Sequence, residues 1–600
     1  MTNREIAQIL RNVAASYTIK NERNFRFQII AYQRAADVIE NSSTELRHLF
    51  EENKLDTLPG IGKSIKSYIE ELYKTGKVKH FEWVTKGIPK PVFALLEVPT
   101  FGPKKAFRLV TEFNLKNKDT VFSDLEKLAK MGKIANLSGF GEKSEQDILR
   151  AISEYRQKKG KTVRMVLPYA YELSERVVSY LKKSEHVIKA YPLGSLRRMA
   201  STVGDIDIAV STKNPRNVIE RFVSYPDKDR VIEKGKTTAS ILTSSGRQID
   251  LMTMPPDSLG SLLQHFTGSK AHNIHLREYA LSKNLSLSEY GIKRKMENGK
   301  LSTEARSRSA GKMENFDTEK KFYEALGMDW IPPELREDTG EIELAIKHKL
   351  PNLVQLKDIK GDLHIHSDFP IEPSHDLGHD TMNTLIIKAE KLKYEYIGFS
   401  EHNPSVSKHT SSNIYTILSR RKDRIEQLKS SNKNVRIINL LEIDILASGN
   451  IAIDEKSLST LDAAIVSIHS SFSMEKDEMT KRIINGLSNP KVKILAHPTG
   501  RMLNQRPGFE FDFEEVLSFC KKNNKALEIN AWPTRLDLTD VMVRKAIENN
   551  VKLVINTDSH ACWQMGLMKF GVAVARRGWA TKNDILNTLS YNEIIRWLKS

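Results

Sequence analysis

At 600 residues the chain is too long for one hydrophobic core and should divide into about three to five domains. Its hydrophobic content of 40% and charged content of 28% exclude disorder, collagen and coiled coil as the main architecture, and its net charge of +18 favours a polyanionic partner such as nucleic acid. No apolar run reaches the ~18 to 20 residues that cross a bilayer, MTNREIAQILRNVAASY is no export signal, and Cys520 and Cys562 stand in no C-x-x-C spacing, so a cytoplasmic protein with no membrane partner and no cysteine zinc site is expected.

The first ~160 residues read as helices, because in IIAYQRAADVIEN and SIKSYIEELYKTGK apolar residues return at three and four with charges between them. One phrase recurs at intervals of about forty residues, as LPGIGKSI (58–65), VPTFGPKKA (98–106) and LSGFGEKSE (137–145), the mark of a reused supersecondary unit. In each copy a Gly-x-Gly or a close variant precedes a helix start, so backbone N–H groups can meet a phosphate oxygen unhindered. The candidates for gripping a DNA backbone are Gly60, Gly62, Lys63, Gly102, Lys104, Gly139, Gly141 and Lys143. Thr100 stands where the second copy's first glycine belongs, which should make that hairpin the weakest contact. Three copies in a basic chain resemble the helix-hairpin-helix motif.

From about 161 to 255, short β-rich runs (HVIKAYPLG, GDIDIAVS, TASILTS, RQIDLMTM) sit between helical segments such as YELSERVVSYLKK, an α+β pattern. In GDIDIAV, Asp205 and Asp207 are two apart on a strand, so both carboxylates leave one face and can hold a divalent cation. Asp250 in RQIDLMTM can join from a neighbouring strand. Three such carboxylates suit two Mg²⁺ or Mn²⁺ ions that lower the pKa of an attacking hydroxyl and stabilise charge on leaving oxygens. An isolated Asp-x-Asp is commonly a solvated strand end, but LGSLRR lies just upstream. It places Gly194 and Ser195 at a helix N-terminus with Arg197 and Arg198 one turn in, where dipole, hydroxyl and guanidinium can meet a triphosphate.

Residues 256–335 return to helix and turn, and 336–357 reads as a linker with one short helix. Beyond it, IKGDLHIHS, YEYIGFSEH, RIINLLEIDIL, AAIVSIHSS, VKILAHP, KALEINAWP and KLVINTDSH alternate with helical patterns, the rhythm of a parallel βα fold whose seven units could close into a barrel. Nine of the 16 histidines fall after residue 357, several at strand ends, which scattered core histidines would not do. His364 pairs with His366 and Asp558 with His560 at strand spacing, and His402, Glu442, His469 and His497 come from SEH, LLEID, SIHS and LAHP. Imidazoles and carboxylates without thiolates favour Zn²⁺, Mn²⁺ or Fe²⁺, in a cluster of up to three ions suited to attack on a phosphodiester.

LGSLRR…VGDIDIAV, RQIDLMTMPP and HFTGSKAHNIHLREYA…LSEYGI, in order over 160–335, resemble the family X DNA polymerases. Residues 358–600, with HPTGRMLNQRPG, LEINAWPTRLDL and MGLMKFGVAVARRGW, resemble the PHP (polymerase and histidinol phosphatase) domain. Together the halves look like the prokaryotic family X polymerases with a fused PHP domain. The resemblance implies a lyase-like helical domain at 1–85, helical fingers at 86–160 and a nucleotidyltransferase palm at 161–260. A thumb that binds the nascent base pair follows at 261–335, then the linker, then a distorted (β/α)7 barrel at 358–600. Implied substrates are gapped or primer-template DNA and deoxynucleoside triphosphates, with gap filling in base excision repair, a 3′-5′ exonuclease, and abasic-site or 3′-end processing.

The resemblance also implies roles for single residues. Asp205, Asp207 and Asp250 carry the catalytic metals; Gly194, Ser195, Arg198 and Gly204 meet the triphosphate; His265, Phe266 and Gly268 lie beside the sugar; Asn273 lies at the minor-groove edge of the base and Arg277 near the templating base. His265 stands where many relatives carry tyrosine, which leaves sugar selectivity open, and Tyr68 stands where the lyase's Schiff-base lysine lies, so lyase action by that route is not expected. In the PHP half SDFPIEPSHDLGHD replaces the usual Ser-Asp-Gly, so the aspartate ligand is assigned to Asp376, with Asp368, His375 and His379 as rivals. A monomer is expected. Two other readings are a phosphoesterase whose polymerase half only holds DNA, and a non-enzymatic protein that bridges DNA ends; nucleotide incorporation disposes of the first and any turnover of the second.

Overall fold

The computed structural model describes the chain apart from residues 2, 42–45, 47–49, 51–54, 56–60, 99–100, 157–163, 244–246, 295–312 and 505–506, and apart from the side chains of 3–4, 34, 37–38, 40–41, 143, 154 and 156. Gly60, Thr100 and the Lys143 side chain therefore lie outside the described residues. The chain forms two compact units, Met1–Val163 with Pro215–Met252, and Arg164–Asn214 with Thr253–Ser600, so the segment expected as one palm is shared between them. No helix among the described residues is long and apolar enough to cross a membrane.

In the first unit, α1 (Asn3–Asn21), α2 (Arg26–Asn41) and α3 (Lys63–Thr75) bury Ile6, Leu10, Ile39, Ile65 and Ile69, whose spacing puts them on one face of each helix. A second helical core gathers Leu95, Leu109, Leu125, Ile148 and Ile152 under α4 (Pro103–Glu112) and α5 (Glu142–Arg156). Strands β1 (Lys189–Pro192) and β2 (Ile206–Ser211) pair antiparallel in the second unit. The antiparallel run of β3 (Lys228–Lys234), β4 (Thr238–Thr243) and β5 (Gln248–Met254) belongs to the first as far as Met252.

Within the second unit, α6 (Gly194–Arg197), α7 (Leu259–Thr267) and α8 (Lys270–Ser282) precede a small antiparallel sheet of Leu285–Leu287, Ile292–Arg294 and Met313–Glu314. The sequence shows only helix and turn there, because strands of two or three residues are too short to display alternation. Residues 336–357, expected as a linker with one short helix, hold the helix Glu341–Ile346 and pack into a core. Ile342, Ala345 and Leu353 share a core with Leu276, Phe322 and Trp579, while Arg336 and Glu341 are buried against Glu319 and His272. Paired, buried charges gave the segment its misleadingly solvated composition.

The barrel strands are β6 (Gly361–Ile365), β7 (Tyr396–Phe399), β8 (Arg436–Asn439), β9 (Glu442–Asp444), β10 (Ala464–Ser467), β11 (Val492–Leu495), β12 (Ala526–Asn530) and β13 (Lys552–Asn556). They form two parallel ladders, β6–β7–β8 and β9 through β13, and most of their residues are buried, hence their continuous apolar runs. Only Leu440 and Leu441 separate β8 from β9, so these two occupy one of seven positions. Parallel bridges from His402 to Glu442 and from Ile365 to Ser559 close the ring. Helices α9 (Ser411–Ser431), α10 (Asp540–Glu548) and α11 (Met568–Arg577) belong to its outer layer.

Candidate active sites

Glu442, at the start of β9, is the hub of the barrel's carboxyl end. Its Oε2 lies 3.1 Å from His364 Nε2, 3.0 Å from His402 Nδ1 and 3.5 Å from His366 Nε2, and its Oε1 lies 3.0 Å from His497 Nε2 and 3.6 Å from His469 Nε2. Asp558 Oδ1 approaches His364 Nε2 at 3.5 Å and His366 Nε2 at 3.3 Å, and the His560 ring stacks on His366 with centroids 4.1 Å apart. His497 and Asp558 both have left-handed backbone, φ 28° and 55°, a strain that the surrounding ladders hold in place.

Apart from the His497–Glu442 Oε1 hydrogen bond, the alignment of these groups is not that of hydrogen bonding. His364 Nε2, both ring nitrogens of His366, His402 Nδ1, Glu442 Oε2 and His560 Nε2 are buried and lack a hydrogen-bond partner. Orphaned polar atoms cost about 1–3 kcal/mol each, so so many facing one centre point to ions that coordinate them. The donors group as His364, His366, Glu442 and Asp558; His366, His402 and His560; His402, Glu442 and His469; and His375, Asp444 and His469, with one atom per residue within 4.8 Å of the others. The set of imidazoles and carboxylates fits borderline divalent ions.

Electrostatics and orientation agree with that use. Burial drives His402 well below its ordinary value, and burial with repulsion from His366 lowers His560 to about 4, the direction that favours a coordinating ring nitrogen. At Glu442 burial opposes the charge, but His402 and His364 hold the carboxyl well below its usual range. His364 Nδ1 donates to Glu528 Oε1 at 2.8 Å, which turns Nε2 inward, and His560 Nδ1 donates to the Asp558 carbonyl at 3.0 Å with the same result. Glu528 is itself fixed by the His497 amide at 2.7 Å and by Asn530 and Asn556 side chains at 3.0 and 2.9 Å.

Asp376 is exposed and belongs to none of these donor groups, and neither do Asp368 and His379. The loop presents His375 instead, whose Nε2 lies 3.1 Å from Asp444 Oδ1. Sequence reasoning missed Asp444 and Glu528. Asp444 was findable, since it stands two residues after Glu442 on the same strand and repeats the spacing of the paired donors.

In the first half of the chain, Asp207 lies on β2 and Asp205 just before it, both partly exposed. Leu193 N donates to the Asp207 carbonyl at 2.8 Å, and Gly194, at φ 56°, brings its backbone so near that a Cβ there would meet Asp207 Oδ2 at 3.4 Å. Gly204, beside Asp205, faces Arg164. Ser195 lies on α6, and Arg198 Nε donates to Glu337 at 2.8 Å while its Nη1 donates to the Thr267 carbonyl at 2.9 Å. Arg197 donates to Thr267 Oγ1 at 2.6 Å and to both Glu319 oxygens at 2.8 and 2.6 Å.

Those bonds bring the Gly194–Arg198 turn to the elbow between α7 and α8, where the thumb candidates meet. Asn273 Nδ2 donates to the His265 carbonyl at 2.8 Å, and the His265 and Phe266 rings are 4.7 Å apart. A Cβ on Gly268 would sit 2.6 Å from Asn273 Oδ1, so the elbow needs glycine there. Burial first, then exposed Arg277, lower the His265 pKa. Asp250 belongs to the other compact unit, where it accepts from Ser240 Oγ at 2.5 Å and Gln248 Nε2 at 2.7 Å. Gly62 and Gly102 are the extended residues before α3 and α4, exposed Gly141 precedes α5, and Gly139 has φ 77°. Lys63 is exposed at the start of α3, whereas Lys104 pairs with Glu22 at 2.6 Å. Tyr68 stacks on His80 at 4.7 Å and 2°.

A helix-hairpin-helix domain profile matches residues 1–78, and a DNA polymerase beta thumb profile matches 262–337. The DNA polymerase/3'-5' exonuclease PolX of Bacillus subtilis (strain 168) is 32% identical over 601 residues, covering 100% of both chains. The DNA polymerase lambda of Arabidopsis thaliana is 26% identical over 359 residues, 56% of this chain and 62% of that protein. A protein named "Probable phosphatase" from Thermoanaerobacter sp. (strain X514) is 28% identical over 174 residues, 27% of this chain and 69% of that protein.

Proposed function

We propose a two-centre reaction scheme from one premise: the chain belongs to the family X DNA polymerases, in the branch that carries a C-terminal PHP phosphoesterase domain. It is a DNA polymerase with 3′-5′ exonuclease activity, it acts on DNA and deoxynucleotides, and its centres depend on metal ions. In our reading it fills short gaps during repair after the barrel has trimmed the 3′ end, and the barrel also processes abasic sites or blocked 3′ ends. We assign Mg²⁺ or Mn²⁺ to the polymerase centre and up to three Zn²⁺, Mn²⁺ or Fe²⁺ ions to the barrel.

When bound, such ions supply Lewis acidity at phosphorus and lower the pKa of the attacking oxygen. For nucleotide addition, the primer 3′-hydroxyl attacks the α-phosphorus and pyrophosphate leaves, with Asp205, Asp207 and Asp250 as the carboxylates that would hold the ions. Ser195 donates its hydroxyl, and Arg198 its guanidinium edge, to the triphosphate. Asn273, His265 and Phe266 pack the sugar and base and exclude water, with Gly268 allowing their close approach and Arg277 reaching toward the template.

For hydrolysis, His364, His366, His402, Glu442, His469, His497, Asp558 and His560 hold the ions, with His375 and Asp444 in place of Asp376. Glu528 keeps His364 in the tautomer that turns Nε2 to the centre. The exposed turns at Gly62, Gly102 and Gly141 grip phosphates. The observation that carries this reading is the convergence of five imidazoles on Glu442 in a chain that matches a polymerase/exonuclease along its whole length.

The test is extension and degradation of one 5′-phosphorylated gapped DNA with metals varied. Asp205→Ala should abolish addition and spare degradation, and His364→Ala the reverse. Loss of both activities in either variant would break the two-centre scheme.

A further inference from the structure

Arg577, the last residue of α11, ties the barrel to the proposed nucleotide-binding turn through a chain of charges of which only Arg198 has a role in either reaction centre. Its Nε and Nη2 donate to Asp540 Oδ2 on α10 at 2.9 and 2.6 Å. Its Nη1 donates at 2.8 Å to Glu337 Oε1 and at 2.9 Å to the backbone carbonyl of Arg198. The same Glu337 oxygen accepts from Arg198 Nε at 2.8 Å. Two guanidinium groups therefore meet on one carboxylate oxygen, and Asp540 balances the second of them. The Arg577 side chain is 9% exposed and that of Arg198 13%.

Taking four charges even partly out of water is costly when they are paired, and an apolar contact of similar volume would join the segments about as stably. Adhesion alone therefore does not account for the arrangement. What the network adds is orientation. A guanidinium is planar and recognises phosphate through a fixed fork of N–H groups, so its usefulness depends on how its plane is turned. The bonds to Glu337 and to the Thr267 carbonyl use two of the five N–H groups of Arg198 and set that plane, and the others remain for a phosphate. Neighbouring Arg197 is held instead by Glu319, which also binds Arg336, so its orientation comes from within the thumb. Of the two arginines, the one read as touching triphosphate is the one tied to the barrel.

We infer that Arg577 of the phosphoesterase barrel is a positioning residue for nucleotide addition: through Glu337 and the Arg198 carbonyl it holds the Arg198 guanidinium in the orientation that receives the incoming triphosphate. The inference rests on the proposed role of Arg198. It makes the barrel part of the polymerase's nucleotide pocket and explains why the segment once read as a linker is packed and charged.

The test is single-nucleotide incorporation on gapped DNA by the full-length protein, with hydrolysis of bis(p-nitrophenyl) phosphate as a measure of the barrel in the same preparations. Arg577→Met should raise the KM for the deoxynucleotide by about ten-fold, the scale of one charge-assisted hydrogen bond, with a smaller change in kcat and unchanged hydrolysis. Arg577→Lys should recover part of the loss. Arg198→Ala should raise the KM at least as much, and the double variant should be no worse than Arg198→Ala, because the two act as one unit. An unchanged KM in Arg577→Met beside a raised KM in Arg198→Ala overturns the inference. An unchanged KM in Arg198→Ala overturns the reading on which it rests. If Arg577→Met loses hydrolysis and folding together, Asp540→Asn decides: a raised KM supports the positioning role and an unchanged one ends it.

Discussion

The barrel draws its donors from the carboxyl ends of one closed set of parallel strands, whereas Asp205 and Asp207, proposed as polymerase donors in the same compact unit, stand at the start of the single strand β2. Six of the barrel's donors, His364, His366, His402, Glu442, His497 and Asp558, are buried, and Glu528 turns His364 inward, so the scaffold itself presets the centre. At the start of β2 the aspartates are partly exposed, and the Gly194–Arg198 turn is held by ion pairs to Glu319 and Glu337. The contrast teaches that the two activities fail differently: the barrel through loss of any inward donor, the polymerase through loss of orientation.

The sharpest way to break this contrast is at its hub. Glu442→Gln weakens coordination by a carboxylate that five imidazoles approach, and should lower 3′-5′ degradation by about 10³-fold or more, several kcal/mol of transition-state stabilisation. Primer extension by the same variant should stay close to wild type. A loss of extension of similar size would show that the barrel centre also serves the polymerase reaction.

Smaller effects should follow one step outward. Glu528→Gln keeps the shape but loses the charge that orients His364, and should reduce metal affinity of the barrel, read by metal titration of degradation, by about 10- to 100-fold. Asp444→Asn should reduce degradation as well, whereas Asp376→Asn should leave it within about two-fold of wild type, as expected of an exposed residue away from the donors. The opposite order of these two variants would restore Asp376 as the ligand.

Which of these residues were legible in the sequence follows from periodicity. His364 with His366, and Asp558 with His560, were readable because a period of two puts both members of a pair on one strand face, and the parallel ladder then gathers such faces at one end. His375 was not, because no repeat fixes which residue of an irregular loop such as SDFPIEPSHDLGHD turns inward. The glycines before α3, α4 and α5 announced themselves by repetition, while the packed role of 336–357 was hidden by buried Arg336 and Glu341, whose charges imitate a solvated linker. Nothing local signals the bond between Glu337 and Arg577, whose partners lie 240 residues apart.

Acid should produce the smallest effect, and it falls on the polymerase side. At Glu319 burial works against the charge, but Arg336 and Arg197 outweigh it and hold the carboxyl at about 2; at Glu337 burial is likewise overcome, by Arg198 and Arg577, to about 2. Both carboxyls ordinarily titrate near 4.5, so their folded values are depressed. A depressed carboxyl contributes stability that is complete above its unfolded value and is lost as pH falls through the folded one. The elbow should therefore hold to about pH 5 and loosen progressively as the pH falls from there toward 2. Trp330 Nε1 donates to Glu319 at 3.4 Å, which makes its fluorescence a local reporter. Thermal unfolding followed at that tryptophan should fall steeply below pH 4.5 in the wild type and less steeply in Glu319→Gln, which starts lower at neutral pH because Arg336 and Arg197 have lost their charged partner. Parallel pH profiles in the two proteins would mean that the arginine clamps do not set the elbow's stability, and the orientation half of the contrast would need another source.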